Sequence, residues 1–152
     1  MIYYPVFLNL EGLSVLVVGA GPVAVRKARG LVEAGARVTV VAPDGADEEM
    51  VKLNVAWAKR RFRSTDLRGK TLVFAATNSR AVNAEIALKC KAAGVWVNVA
   101  DAPEECGFLV PARVRDGNLQ IAVTTGGEDP RMAKAMRERL GTILGEFREK
   151  LV

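Results

Sequence analysis

Residues Val15 to Leu31 read VLVVGAGPVAVRKARGL, and this run limits the possible folds more than any other stretch of the chain. Four apolar residues, Val15 to Val18, enter a turn spelled Gly19-Ala20-Gly21-Pro22-Val23-Ala24. A helical pattern follows at once, with Ala28, Leu31 and Val32 on one face. A strand, a glycine loop and a helix in that order form the unit that cradles a dinucleotide pyrophosphate. Gly19 allows a sharp turn, Gly21 has no Cβ to hold a phosphate off the backbone, and Ala24 lets helix and strand pack closely. Pro22 fits the first helical position, where its missing N–H would have been unpaired anyway. The free N–H groups and the positive end of the helix dipole then face an anion. A tight strand-to-helix turn without a ligand is the plainer alternative.

Composition narrows the chemistry. The chain has 152 residues and is half hydrophobic, enough for one core. No apolar run approaches the roughly 20 residues of a membrane span. The start, MIYYPVFLNLEG, has neither a basic n-region nor a small-residue cleavage site, so a cytoplasmic location is expected. Net charge is +5, from 22 Lys+Arg and 17 Asp+Glu. That balance suits an acidic ligand, or simply a solvated basic surface. No nucleic-acid-binding module accompanies it. Cys90 and Cys106 do not make a disulfide framework. There is no histidine, so a histidine base or a Ser-His-Asp triad is excluded, and no metal site is expected.

Strands alternate with helices, which predicts a Rossmann-like parallel sheet with helices on both faces. Tyr3 to Asn9 reads as a short edge strand, followed by a turn at Glu11-Gly12. The strand Val15 to Val18 leads to a helix over Val23 to Ala34, stopped by Gly35. Arg37 to Val41 is a strand, Asp47 caps a short helix through Leu53, and Val55 to Arg61 alternates weakly as a strand. Leu72 to Ala75 is a buried strand. Ser79 caps a helix to Ala93, stopped by Gly94, and Val95 to Val99 is the next strand. The rhythm then changes. Segments 112–115 and 119–123 flank Asp116-Gly117-Asn118 as an antiparallel hairpin. Asp129-Pro130 then opens a long C-terminal helix. Its apolar positions Met132, Met136, Leu140, Ile143, Phe147 and Leu151 recur every three or four residues. Such a stripe packs on the chain's own sheet or on a second copy, and an exposed stripe of that length favours a homodimer.

In an open α/β sheet, ligands bind beyond the carboxyl ends of the strands. Four loops leave those ends: 19–24, 42–44, 76–78 and 98–101. Asp44 lies 23 positions past Gly21 and is the local candidate for the ribose hydroxyls, or else a helix cap. No arginine stands in that loop to take a 2′-phosphate, which favours NAD over NADP. Asp101 follows a buried strand and precedes Ala102-Pro103. It reads equally as a general base near a nicotinamide or as a brace for the turn.

Several strings together carry a resemblance: YPVFLNLEG, VLVVGAGPVAVRKARGLVEAGARVTVVAP, VFAATN with Asn83 after it, NVADAP, and IAVTTGGEDPRMAKAMRERL. The chain resembles the NAD-binding precorrin-2 dehydrogenase module of sirohaem synthesis. That module also forms the N-terminal part of trifunctional sirohaem synthase and is related to the yeast bifunctional dehydrogenase–ferrochelatase. The resemblance covers nearly the whole chain. It implies NAD-dependent oxidation of precorrin-2 to sirohydrochlorin, a polycarboxylate substrate that suits a basic protein. It implies that Gly19, Gly21, Pro22 and Val23 carry the pyrophosphate. Pro43 and Asp44 lie along the adenosine, and Thr77 and Asn78 near the nicotinamide side. The family's essential aspartate matches Asp101. Thr125 stands where some members line the tetrapyrrole pocket with serine, and Gly126-Gly127 offer N–H groups to a substrate carboxylate. The organisation implied is an NAD-binding domain over 1–111 and a dimerising hairpin and helix over 112–152. Family members often continue into a further helical segment, so ferrochelation, with Cys106 touching iron, is the less favoured reading. A non-catalytic sensor of NADH or a tetrapyrrole is the rival from another class.

Overall fold

The computed structural model describes residues 2–43 and 48–151, with side chains through Phe147. Asp44 and Asp47, expected as a ribose ligand and a helix cap, lie outside the described residues. The chain divides into two compact units. One is Val6–Phe108; the other joins the residues up to Pro5 with those from Leu109 onward.

In the first unit, five strands form one parallel sheet: β1 (Ser14–Val18), β2 (Arg37–Val41), β3 (Ala56–Ala58), β4 (Leu72–Ala75) and β5 (Trp96–Val99). Their spatial order is β3-β2-β1-β4-β5. The order reverses between β1 and β4, the point where such sheets open a crevice. The helices are α1 (Pro22–Glu33), the short α2 (Glu48–Val51) and α3 (Arg80–Ala93). Strand alternation sends Val15, Val17, Val38, Val40 and Phe74 to the face covered by α1. Leu16, Val18, Val73, Val97 and Val99 go to the face covered by α3, against Ile86, Ala87 and Cys90. A sheet buried on both sides explains why β1 and β4 are continuous apolar runs. Helices therefore lie on both faces, as the alternating pattern predicts.

The boundaries of α3 fall where the sequence places them. The Ser79 hydroxyl accepts from Val82 N–H at 3.4 Å, and Gly94 ends the helix in the left-handed region at φ 67°. One expectation fails: Tyr3 to Asn9 forms no strand. Pro5 lacks an N–H for a ladder, and Tyr4, Val6, Phe7 and Leu8 are exposed. The third strand is also shorter than expected, three residues at the sheet edge.

Beyond β5, the chain doubles back along that strand's outer edge. Gly107 N–H donates to Val97 O at 2.8 Å, and the Cys106 Sγ accepts from Val99 N–H at 3.1 Å. Phe108 then packs edge-on against Phe74, with ring centroids 5.4 Å apart.

In the second unit, β6 (Ala112–Asp116) and β7 (Leu119–Val123) pair antiparallel, as the hairpin reading predicts. The helix α4 (Pro130–Leu151) packs on this hairpin. Asp129 caps it by accepting from Met132 N–H at 2.9 Å. Its inner line is Ala133, Leu140, Gly141 and Leu144, whereas Met132, Met136, Ile143 and Phe147 are exposed. The apolar stripe thus splits: Leu140 turns inward, and Leu151's side chain is outside the described residues. Among the described residues, no helix is long and apolar enough to cross a membrane.

After β3, Arg60 grips Asp66 with two bonds of 2.9 and 2.7 Å, and Asp66 also accepts from Arg63 N–H at 2.8 Å. The Arg60 guanidinium chiefly, with the Arg63 N–H assisting, holds the Asp66 carboxyl below the usual carboxylate range. A depressed folded-state pKa adds stability above the unfolded value, and that stability is lost as pH falls through the folded value. In urea unfolding, wild type should exceed Asp66→Asn in stability at neutral pH. The gap should narrow as pH drops below about 4, and a gap independent of pH would contradict the ion pair's contribution.

Candidate active site

The two glycines of the first loop have separate causes. Gly19 has φ +115°, and a Cβ built on it would lie 2.2 Å from Ala76 O and 3.1 Å from Thr77 N. The fold itself therefore demands glycine there, because the ends of β1 and β4 nearly touch. Gly21 has an ordinary φ of −78°, and a Cβ on it would meet nothing within 4 Å. Protein packing does not require glycine at 21. A ligand group approaching the backbone would. Gly21 is also the N-cap of α1, and no side chain caps that end. Pro22 takes the first helical position, Val23 is partly exposed, and Ala24 is buried against the sheet. An open glycine over uncapped helix N–H groups fits a dinucleotide pyrophosphate.

The other loops gather at the same end of the sheet. Pro43 is exposed at the end of β2, where the Trp57 indole N–H donates to Ala42 O at 3.3 Å. At the end of β4, Thr77 is half-buried and Asn78 exposed. Asp101 follows β5, with its side chain 39 % exposed.

What holds Asp101 bears on its role. Asn83 Nδ2 donates to Asp101 Oδ1 at 3.0 Å, and Arg80 Nη1 stands 3.6 Å from the same oxygen. Both are side chains of α3. Among the described residues, the carboxylate makes no bond to the backbone of its own turn. The turn-bracing role that Asp often plays before proline is therefore not what these contacts show. Arg80 also pairs with Glu105, and that hydrogen bond above all keeps the guanidinium firmly charged. Asn83 is fully buried and reaches Thr77 as well: its Oδ1 accepts from Thr77 N–H at 3.1 Å and from the Thr77 hydroxyl at 2.7 Å. One amide thus joins the β4 loop to the aspartate after β5. In the sequence, Asn83 stands out only through the family resemblance. The available signal was an amide at a core-facing position of α3, in step with Ile86, Ala87 and Cys90.

Two further polar groups lie under this end of the sheet. Lys27 of α1 donates to Asn98 Oδ1 at 2.7 Å and lies 5.3 Å from the centre of the Phe74 ring. Burial is the main cause that lowers its pKa. The Cys106 thiol is spent on the edge of β5, and burial pushes its pKa up. A thiol placed this way is structural, accepting from Val99 N–H and donating to Val99 O. Among the described residues, no cluster of three or more His, Cys, Asp or Glu could hold a metal.

Thr125, Gly126 and Gly127 belong to the second unit. The Thr125 hydroxyl accepts from Asp129 N–H at 3.0 Å and lies 2.9 Å from Asp129 O. Gly126 and Gly127 both have positive φ, 70° and 90°. The turn before α4 is therefore one that β-carbons would strain.

Comparison with known proteins agrees with this geometry. A family model described as "Putative NAD(P)-binding" matches residues 6–112, and one described as "Sirohaem biosynthesis protein central" matches 116–142. A siroheme synthase of Tolumonas auensis is 42 % identical over 146 residues, covering 95 % of this chain. Another, from Stutzerimonas stutzeri, is 43 % identical over 146 residues, covering 93 % of this chain. The chain spans about a third of these relatives, 31 % of each. The solved structure of "SirC, precorrin-2 dehydrogenase" superposes with a TM-score of 0.79 at 34 % identity, covering 92 % of this chain and 70 % of that one. With the glycine loop, the strand order and both matched segments in place, this chain belongs to the NAD(P)-binding family of sirohaem biosynthesis proteins.

Proposed function

We propose that this protein oxidises precorrin-2 to sirohydrochlorin with NAD, and that Asp101 is the general base. The observation that carries the reading is the Asp101 carboxylate. It is partly exposed at the carboxyl end of β5 and is held by two α3 side chains rather than by its own turn. It stands in a chain 34 % identical to a precorrin-2 dehydrogenase over most of both lengths.

Gly19, Gly21, Pro22 and Val23 hold the pyrophosphate in this reading. Pro43 and Asp44 border the adenosine, and Thr77 and Asn78 the nicotinamide side. Bound NAD supplies the hydride acceptor. The chain's own part is to orient the substrate and to remove the accompanying proton at the Asp101 carboxylate. One hydride and one proton leave the macrocycle, so nothing further is needed for balance. Correct placement of the base contributes about 10²–10⁴ in rate. In the hairpin–helix unit, Thr125, Gly126 and Gly127 are the candidates for a substrate carboxylate. The net charge of +5 suits a polyanionic substrate. A cytoplasmic setting belongs to the same reading, since both cysteines are free thiols.

The homodimer is proposed on the outer face of α4. Met132, Met136, Ile143 and Phe147 are all exposed at helical spacing, Phe147 by 63 %. A second copy of the same face would bury them. Sedimentation should show a dimer for the wild type and a shift toward monomer for Met136→Lys with Ile143→Lys. A wild-type monomer at micromolar concentration would refute this.

The direct test is anaerobic: precorrin-2 and NAD with the purified protein, following sirohydrochlorin and NADH together. Both products should rise in equal amounts. Asp101→Asn should lower kcat by about 100-fold or more while NADH still binds. Near-normal turnover would remove Asp101 from the mechanism, and NADH binding without any product would indicate a sensor. The two glycines give a second, independent check. Gly21→Val should weaken NADH binding more than tenfold with little loss of thermal stability. Gly19→Ala should destabilise the fold itself, and equal effects from the two would contradict their separate causes.

A further inference from the structure

We propose that Asn83 is a positioning residue for the oxidation, fixing the Asp101 carboxylate relative to the β4 loop. The inference rests on Asp101 being the base.

Three observations carry it. First, Asn83 is 0 % exposed, and both ends of its amide are bonded. Oδ1 accepts from the N–H and the hydroxyl of Thr77, and Nδ2 donates to Thr77 O at 3.1 Å and to Asp101 Oδ1 at 3.0 Å. Second, the orientation is determined by chemistry. The Thr77 backbone N–H can only donate, so the atom facing it is the amide oxygen. The N–H₂ end must then face the Thr77 carbonyl and the Asp101 carboxylate. Third, this is the shorter of the two α3 contacts to Asp101. Arg80 is one turn earlier, at 3.6 Å, and it also serves Glu105.

A buried donor limits what the carboxylate can do. An aspartate at a half-exposed turn otherwise samples several rotamers, and only some of them point its free oxygen toward a substrate. A bond from an immobile amide selects one. Because the same amide holds the backbone N–H and carbonyl of Thr77, the base and the cofactor-side loop are set against one reference. Asn83 reaches the reacting atoms only through Asp101, and a loosened base lowers the rate more than binding.

The test compares wild type, Asn83→Ala, Asn83→Ser and Asp101→Asn in the same anaerobic assay, with NADH binding and thermal unfolding measured on each. Asn83→Ser leaves an uncharged polar side chain that is too short to bridge Thr77 and Asp101, so it addresses the case in which Asn83→Ala does not fold. The expected result is a loss of at least tenfold in kcat for the folded Asn83 variants. KM for precorrin-2 and the Kd for NADH should stay within about threefold of wild type. A purely structural role would instead lower stability and NADH affinity and leave kcat per folded molecule unchanged, and that result overturns the proposal. If Asp101→Asn is slow while the Asn83 variants match wild-type kcat, the positioning role alone is wrong. If Asp101→Asn turns over normally, the assignment of the base has failed, and the role of Asn83 fails with it.

Discussion

The near-contact of two strand ends governs the rest of this site. At Gly19 the chain leaves β1 so close to Ala76 that no side-chain atom fits between them. The crossing brings the glycine loop against the first residues after β4, where Thr77 begins. Thr77 is bonded to Asn83, and Asn83 to Asp101. One steric constraint at the strand-order reversal therefore extends, through two short polar links, to the carboxylate after β5. Apolar packing builds the platform for this. The two faces of the sheet are closed by α1 and α3, leaving the carboxyl ends of the strands as the open side.

The buried polar residues among those described are both amides, and both lie near that open end. Asn83 ties β4 to β5. Asn98 accepts from Lys27 on one side and donates to Phe108 O at 3.1 Å on the other. An amide can do this in an apolar core because it offers donors and an acceptor without a charge, provided all of them are met. A carboxylate in either place would need desolvation to be offset by a buried cation. Lys27 is the nearest case of that kind: its ammonium lies over the Phe74 ring and is bonded to a neutral amide, and burial lowers its pKa.

Much of the architecture was legible because the relevant signals are local. The glycine spacing after Val18, the Ser79 cap with Gly94 as stop, and the Asp116-Gly117-Asn118 turn each act within a few residues, and each falls where the sequence puts it. The N-terminal segment is apolar but pairs with no strand, because Pro5 interrupts any ladder and a pattern of apolar residues does not by itself specify a pairing partner. The stripe on α4 was read as one face. The hairpin instead takes Ala133, Leu140, Gly141 and Leu144, and leaves Met132, Met136, Ile143 and Phe147 outward. The link from Asn83 to Asp101 spans 18 residues of sequence and depends on a rotamer, so no spacing rule reveals it. For Asp101, position alone leaves two roles open, and its contacts, to Asn83 and Arg80 of α3, depend on side chains that no local pattern reveals.

The return of the chain along β5 has a consequence for solubility. A strand at the margin of a parallel sheet exposes alternate N–H and C=O groups to any other extended chain. Here Gly107 takes Val97 O, and the thiol of Cys106 takes the N–H of Val99. Two residues thus do the work of a sixth strand, without the length or flatness that would let further strands add on. Cys106 and Gly107 act as a hem on the sheet. Where that hem is loosened, by oxidation of the sulfur or by a bulky residue at 107, the bare margin of β5 becomes a template for strand addition between molecules.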